Sequence, residues 1–331
     1  MTSPDPLERL TVGMRAVVRH RVDGGLSDAL GQVVALDTDT ITVETRRGPQ
    51  VIARSDVTLA KEVPPRASRR GAPHRAISID DLQLAMVDGW SPAERDRLGD
   101  WVLRAADGFT GRANSVLPVG DPGLPLEDAA ARCESWYAAR GLPSQFCLTG
   151  PVGFDSREDP LGALLLARGY RPSPLVDVMT GSAQDVALAA EAVSPTAPPG
   201  GPIEVTIEAS LSERWFEAYQ RQRPEAGDWA RSVLTGSPEQ LFGGIEVDGR
   251  LAAVARVAFA HAWAGVFAVE VEPGQRRRGL ATVLTGALAR EARARGIRSL
   301  YLQVSDANAA AVSAYEALGF STHHTYVYLT R

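Results

Sequence analysis

Three consecutive arginines, Arg276, Arg277 and Arg278, precede Gly279 in the stretch Val269-Glu-Val-Glu-Pro-Gly-Gln-Arg-Arg-Arg-Gly-Leu-Ala281, and a helix-patterned run ending at Arg295-Gly296 follows at once. A β-forming segment, a turn of Gly, Gln and Arg, and a helix start present unpaired backbone N–H groups at the positive end of a helix. That combination binds anions, and a phosphate is the natural guest. Gly279 lets the backbone approach without a Cβ, and Ala281 keeps the helix start narrow. The N–H groups from about Arg277 through Leu280 to Thr282 are expected to face the phosphate oxygens. The arginines add charge, with at least one of the three expected on a solvated face.

The elements that hold this loop belong to a chain of 331 residues, long enough for two or three domains. A hydrophobic fraction of 44% and a charged fraction of 23% are those of a soluble globular protein. The N-terminus has no basic segment followed by an apolar one, and no apolar run approaches roughly 18 residues, so a cytoplasmic protein without a membrane span is expected. Cys133 and Cys147 are the only cysteines and have no His at ligand spacing, which argues for two buried apolar side chains rather than a zinc site or a disulfide. Net charge is −5, with residues 1–75 carrying 12 basic against 9 acidic side chains. That basic excess is too small for a dedicated nucleic-acid face. The acidic balance of residues 76–331 hints at a cationic acceptor.

Residues 10–62 alternate with a period near two in short β-branched runs broken by Gly24-Gly25, Asp37-Thr-Asp39 and Arg47-Gly48, which predicts about five strands in a small SH3-like β-barrel over 1–63. Residues 64–75, with Pro64-Pro65, Arg66, Arg69-Arg70 and Pro73, read as a linker. A second unit over 76–190 reads as a helix opened by Ser78-Ile-Asp-Asp81, a strand over 100–105, a hairpin turn at Asp107-Gly108 before a strand-like run to Leu117, a helix over 126–140, a strand at 145–148, a helix over 160–168 and a last strand at 175–179. A Pro-, Gly- and Ala-rich linker over 191–202 follows.

The third unit, 203–331, opens with a strand at 203–208 and a capping box Ser210-Leu-Ser-Glu213, then shows an Asp248-Gly249 hairpin of high specificity. The segment 265–271 is the strand feeding the anion loop, and strands over 299–304 and 325–329 bracket a short helix at 309–318. His323-His324 are adjacent on a strand; alternation sends them to opposite faces and makes a shared metal improbable.

The hairpin, Val271-x-Pro273, Arg276-x-x-Gly279-x-Ala281, and Leu302-x-Val304-x-x-x-Asn308-x-x-Ala311-x-x-x-Tyr315-x-x-x-Gly319-Phe320 occur in that order. Together they resemble the GCN5-related N-acetyltransferases, the GNAT superfamily, over residues 203–331. Element order extends the resemblance to 76–190. The implied fold class is α/β (α+β), with two tandem GNAT folds of mixed, mostly antiparallel sheet flanked by helices behind the SH3-like barrel. The whole arrangement is similar to an actinobacterial acetyltransferase family that carries a histone acetyltransferase label. In the earlier unit, Pro-Val-Gly-Asp-Pro-Gly-Leu-Pro at 118–125 stands where the anion loop would be; its prolines remove donors and Asp121 repels a pyrophosphate, so a degenerate unit without coenzyme A is expected.

The resemblance implies acetyl-CoA as cosubstrate, no metal, and an amine acceptor, whether a small molecule or a protein amine. The pyrophosphate would lie on the Arg276–Thr282 loop, and the strand edge at Val269 and Val271 would pair with the pantetheine amides. Asn308 would touch the coenzyme arm or cap its helix. Tyr315 matches the tyrosine near the sulfur that protonates the leaving thiolate, with a packing role as the alternative. If Val269 and Val271 face the core, Glu270 faces the opposite side and is a candidate base, with Glu272, His261 and a water relay as alternatives. Gln303 and Trp263 would shape the acceptor pocket or serve as core and rim. A different class remains open, a coenzyme-A-sensing adaptor whose barrel binds a protein or nucleic acid; transfer of a longer acyl group, given room near residues 264–267, is a third.

Overall fold

In the computed structural model, which describes residues 7, 10–12, 14–22, 25–45, 48–62, 73–193 and 203–331, the chain divides into a unit over Met1–Gly71 and a second over Ala72–Arg331. Most of the expected 64–75 and 191–202 linkers, with Arg66, Arg69 and Arg70, lies outside the described residues. No described helix is long and apolar enough to cross a membrane.

The first unit is one antiparallel sheet of β1 (Arg15–Val22), β2 (Gly25–Leu36), β3 (Thr40–Thr45), β4 (Gly48–Ala53) and β5 (Val57–Glu62), in the order β4-β3-β2-β1-β5. The long β2 pairs with β1 through its first part and with β3 through its end. Gly31 sits at the changeover, where a Cβ would lie 1.8 Å from the Glu44 carbonyl oxygen. Alternating Ala16, Val18, Val33, Ile41, Val43 and Ile52 fill its core.

The second unit begins with α1 (Ile79–Gly89), whose N–H at Asp81 is capped by Ser78 at 3.1 Å. There follow β6 (Glu94–Leu98), β7 (Trp101–Ala105), α2 (Leu126–Ala138), β8 (Gln145–Gly150), α3 (Pro160–Ala167), β9 (Arg171–Pro172), β10 (Val176–Ser182) and α4 (Ala183–Glu191). The later part holds β11 (Glu204–Glu208), α5 (Glu213–Gln222), α6 (Trp229–Thr235), β12 (Glu239–Val247), β13 (Arg250–Ala260), β14 (Trp263–Val271), α7 (Leu280–Ala294), β15 (Ser299–Ser305), α8 (Ala309–Ala317) and β16 (Ser321–Thr330).

Several expectations are corrected. Residues 109–117 form no strand after a hairpin at Asp107-Gly108; β7 pairs instead with the charged run β6, and the segment turns through a short 3-10 helix at Gly111–Ala113. Four consecutive charged residues, Glu94 to Arg97, hid β6, because an exposed edge ribbon needs little apolar patterning. Helix α5 is capped by Ser212, which accepts from Trp215 N–H at 3.4 Å, and not by Ser210. Helices α4 and α6 are not among the elements that the sequence predicts. Cys133 and Cys147 are free and buried.

The largest difference concerns the boundary expected between residues 76–190 and 203–331. They share one nine-stranded sheet, in the order β11-β12-β13-β14-β15-β10-β16-β8, with β9 beside β16. Strand β10, from the earlier half, lies between β15 and β16 of the later half, Met179 opposite Leu302 on one side and Val178 opposite His324 on the other. Helix α4 continues directly from β10 and packs on α7, so closely that a Cβ on Gly286 would lie 2.2 Å from that of Ala190. One face of the sheet is covered by α4, α7 and α8, the other by α1, α5 and α6. A segment boundary in sequence is therefore not a boundary between cores.

Candidate active site

The cleft originates in a bulge. Register between β13 and β14 shifts from Val254 opposite Glu270 to Arg256 opposite Phe267, so Ala268 and Val269 share one partner position, and Ala268 takes φ 51°. A bulge bends and twists its strand. Strand β14 accordingly meets β15 in parallel only at residues 263–265, against 299–301, and then diverges. The gap is a cavity of about 630 Å³.

Its two sides differ. Val269, Leu302, Val304 and Tyr315 belong with the core under α7 and α8, whereas Phe267, Trp90, Phe109 and Tyr219 belong with the opposite core. Glu270 lies between Val269 and Val271 and faces away from their core, where its Oε1 accepts from Arg223 Nε at 2.6 Å. Asn308 Oδ1 caps α8 by accepting from Ala311 N–H at 3.2 Å while lining the cleft. Burial pushes the Tyr315 phenol up to about 12, and the Glu270 carboxylate adds to the shift. Among the positions singled out in sequence, the cleft thus gathers Val269, Glu270, Gln303, Asn308 and Tyr315.

The arginine-rich loop follows the mouth of β14. A 3-10 turn, Pro273–Gln275, leads to Arg276, whose Nε donates to the Val271 carbonyl at 3.1 Å. Arg278 donates to the Gln275 side chain. Arg277 has φ 59° and Gly279 φ 79°, and Gly279 is the N-cap of α7 with no side chain to satisfy the helix start. The first backbone bond of the helix runs from Val283 N–H to Gly279 C=O at 3.0 Å, so the N–H groups of Leu280, Ala281 and Thr282 precede the ladder. In the earlier half the corresponding donors are taken up internally: Asp121 N–H by the Asp100 carboxylate at 2.9 Å, and Gly123 N–H by that of Asp121 at 2.8 Å.

The two alternative bases, His261 and Glu272, and the His323-His324 pair lie elsewhere. His261 sits at the β13–β14 turn with Nε2 2.7 Å from Asp88 Oδ2, and with Trp263 it lines a separate cavity of about 330 Å³. Glu272 is engaged by Arg221 and Arg250. His323 and His324 do meet, contrary to strand alternation, with Nδ1 atoms 2.8 Å apart, because the register shift between β10 and β16 falls at His323 and turns its ring aside.

Sequence reasoning missed much of the wall opposite α8. Residues 107–110 and Arg112 reach the cleft from the earlier half, together with Trp90. Asn114 pins that loop: its Oδ1 accepts from Ala106 and Gly108 N–H at 2.7 and 3.0 Å, and its Nδ2 donates to the carbonyls of Phe109 and Thr110 at 2.8 and 2.9 Å. Trp90 Nε1 donates to Thr110 Oγ1 at 2.9 Å. The sequence carries no motif for these residues, because the Asn114 side chain bonds only backbone groups of its own loop.

The family model described as "Probable histone acetyltransferase Rv0428c C-terminal" matches residues 77–329. The chain belongs to this family of GNAT acetyltransferases. A probable histone acetyltransferase of Mycobacterium tuberculosis, Rv0428c, is 29% identical over 325 residues, covering 96% of this chain and 95% of the relative. The GNAT fold recurs in a GCN5-related N-acetyltransferase from Kribbella flavida, at 20% identity and TM-score 0.56, over 77% of this chain and 96% of that one. A tandem GNAT protein from the clavulanic acid biosynthesis pathway aligns over 80% of this chain and 91% of its own, at 15% identity and TM-score 0.53. As a GNAT enzyme the chain is an N-acetyltransferase, and its mixed, mostly antiparallel sheet with flanking helices is that of the superfamily.

Proposed function

We propose that this chain transfers an acetyl group from acetyl-CoA to a primary amine by direct attack while both are bound. The observation that carries the reading is the cleft between β14 and β15, open at the bulge, with an uncapped helix start just beyond it. The N–H groups of Leu280, Ala281 and Thr282, with Arg276, Arg277 and Arg278, would receive the pyrophosphate, and Gly279 leaves room for it. The edge of β14 at Val269 and Val271, unpaired toward β15, would bond the pantetheine amides as another strand would. Asn308 would stand beside the coenzyme arm while capping α8.

Tyr315 is the proposed acid for the departing thiolate. A phenol raised to about 12 keeps its proton at neutral pH, as an acid must. Glu270 is the proposed base for the amine; with Arg223 bound to one oxygen, its other oxygen takes that role directly or through water. Holding thioester and amine together provides much of the rate. One coenzyme site per chain is proposed, because the donors at residues 121 and 123 are already taken by carboxylates. The first unit, a meander in which β5 returns to β1, fits an SH3-like barrel, and a cytoplasmic setting fits the soluble composition.

The test is release of free thiol when the protein meets acetyl-CoA and pools of small amines and peptides, with labelled acetyl groups followed by mass spectrometry. Transfer of label to an amine is expected. Tight acetyl-CoA binding with no label on any acceptor would favour a sensor over an enzyme.

A further inference from the structure

We propose that the acceptor amine also bears a carboxylate and that Arg112 receives it; this rests on the acetyl-transfer reading above. Arg112 stands on the 3-10 turn Gly111–Ala113, comes from the earlier half of the chain, and lines the cleft formed by the later half. Its Nε donates to Gln303 Oε1 at 2.5 Å, an oxygen that also accepts from Tyr326 O–H at 2.8 Å. Its guanidinium carbon lies 5.4 Å from the ring centroids of both Trp90 and Phe267. One edge of the guanidinium is thereby fixed, and the two rings, whose centroids lie 5.2 Å apart, sit together on one side of it.

The other cations nearby are already committed. Arg223 is paired with Glu270 at 2.6 Å and Glu225 at 3.7 Å. Arg256 donates to the carbonyls of Leu234 and Gly89 and to Ser237 Oγ. Among the described residues no carboxylate lies at ion-pair distance from Arg112; Gln303 and the phenols of Tyr326, Tyr328 and Tyr301 surround it, and the nearby Arg256 is a like charge. A half-buried cation without a counter-charge is costly, and a ligand anion relieves that cost.

Carboxylate is the anion whose shape fits. With Nε held by Gln303, the two terminal nitrogens present a planar fork that two carboxylate oxygens match. Asp107 and Glu225 at the exposed part of the same cleft oppose a polyanion and favour a ligand with a positive end as well. The amine end would then lie toward Glu270 and the carboxylate end on Arg112, which describes an amino acid or a related amino-carboxylate. The Asn114 clamp on residues 106–110 holds the Arg112 turn before the ligand arrives, so little ordering is needed on binding.

The experiment uses the full chain with acetyl-CoA and acceptors in matched sets, free amino acids against their amides and their decarboxylated amines, read by thiol release. In parallel, saturation-transfer NMR reads binding of pooled N-acetyl amino acids against the pooled N-acetyl amino amides in the presence of CoA. The acids are expected to outperform the amides by about 10- to 100-fold, the scale of one charge-assisted hydrogen-bonded contact. Arg112→Gln is expected to erase that preference by raising KM for the acids, with acetyl-CoA affinity by calorimetry unchanged, and Arg112→Lys to restore part of it. Amides that match acids in both turnover and binding would overturn the proposal, as would a preference for phosphorylated amines or an Arg112→Gln effect equal on acids and amides. Should Arg112→Gln not fold, the acid-against-amide comparison on the unaltered chain decides alone. N-acetyl amino acids bound through Arg112 without any turnover would sink the acetyl-transfer reading and leave the carboxylate site standing; turnover of amides as fast as acids does the reverse.

Discussion

The buried guanidinium of Arg256, on β13, donates to the carbonyl of Gly89 at the end of α1 across 2.9 Å. Its Nε also holds the Leu234 carbonyl at 2.7 Å and its other nitrogen Ser237 Oγ at 2.7 Å. Burial pulls this guanidinium down to about 9, which leaves it charged at neutral pH. Three elements that have no common sequence period are joined at one side chain. Arg256→Met is expected to leave the Leu234 carbonyl without a donor and to cost about 2–5 kcal/mol in urea unfolding. A variant as stable as the parent would show that water replaces the guanidinium.

Gly279 is the second test. At φ 79° a side chain is strained by about 1–2 kcal/mol, and an acidic one also meets the phosphate. Gly279→Glu should unfold a few degrees earlier by calorimetry yet keep the native circular dichroism, while losing acetyl-CoA binding. Unchanged acetyl-CoA affinity would remove the helix start from the coenzyme site.

Tyr315→Phe addresses chemistry rather than binding. Loss of a general acid lowers kcat by about 10²- to 10⁴-fold, and KM for acetyl-CoA should hardly move. Because the phenol titrates near 12, the parent enzyme should show no alkaline fall in kcat from this group below about pH 11. Equal kcat in parent and variant assigns Tyr315 to packing against Phe320, with which it makes an edge contact at 5.9 Å.

His324 predicts an acid limb in stability. Gln83 Nε2 donates to His324 Nε2 at 2.8 Å, so His324 Nδ1–H donates to His323 Nδ1, and His323 Nε2–H to the Ile77 carbonyl at 3.1 Å. That donor order needs a neutral His324, and burial, with His323 adding, pulls it from 6.5 to about 3. Between these values the unfolded chain takes a proton that the folded chain refuses. The stability is therefore present above pH 6.5 and is lost as pH falls toward 3, at up to about 1.4 kcal/mol per pH unit. His324→Gln should be less stable at pH 7 but show a shallower loss between pH 6 and 4 in denaturant titrations. An equally steep limb in that variant places the acid sensitivity elsewhere.

Local signals were legible wherever a few neighbouring residues decide the backbone. Asp248 and Gly249 take φ 52° and 77°, the paired left-handed angles that an Asp-Gly hairpin requires. Ser78 caps α1 as its spacing indicates, and Gly279 is left-handed at the start of α7. Alternation likewise put Val269 and Val271 on one face and Glu270 on the other. The same rule failed at His323-His324, since a bulge is a property of two paired strands and leaves no mark on one.

The sequence by itself determined the left-handed glycine at the start of α7, the hairpin, most of the strands and helices around them, and the family resemblance that they carry. Only the tertiary structure decided that β10 enters the sheet between β15 and β16, and that Trp90, Phe109 and Arg112 of the earlier half line a cleft in the later half. The physical reason is range. Caps and turns are fixed by bonds within a few residues, whereas Arg112 and Gln303 meet across 191 positions of chain. Such pairings follow from which strand edges and core faces fit together, and no spacing along the chain encodes that fit.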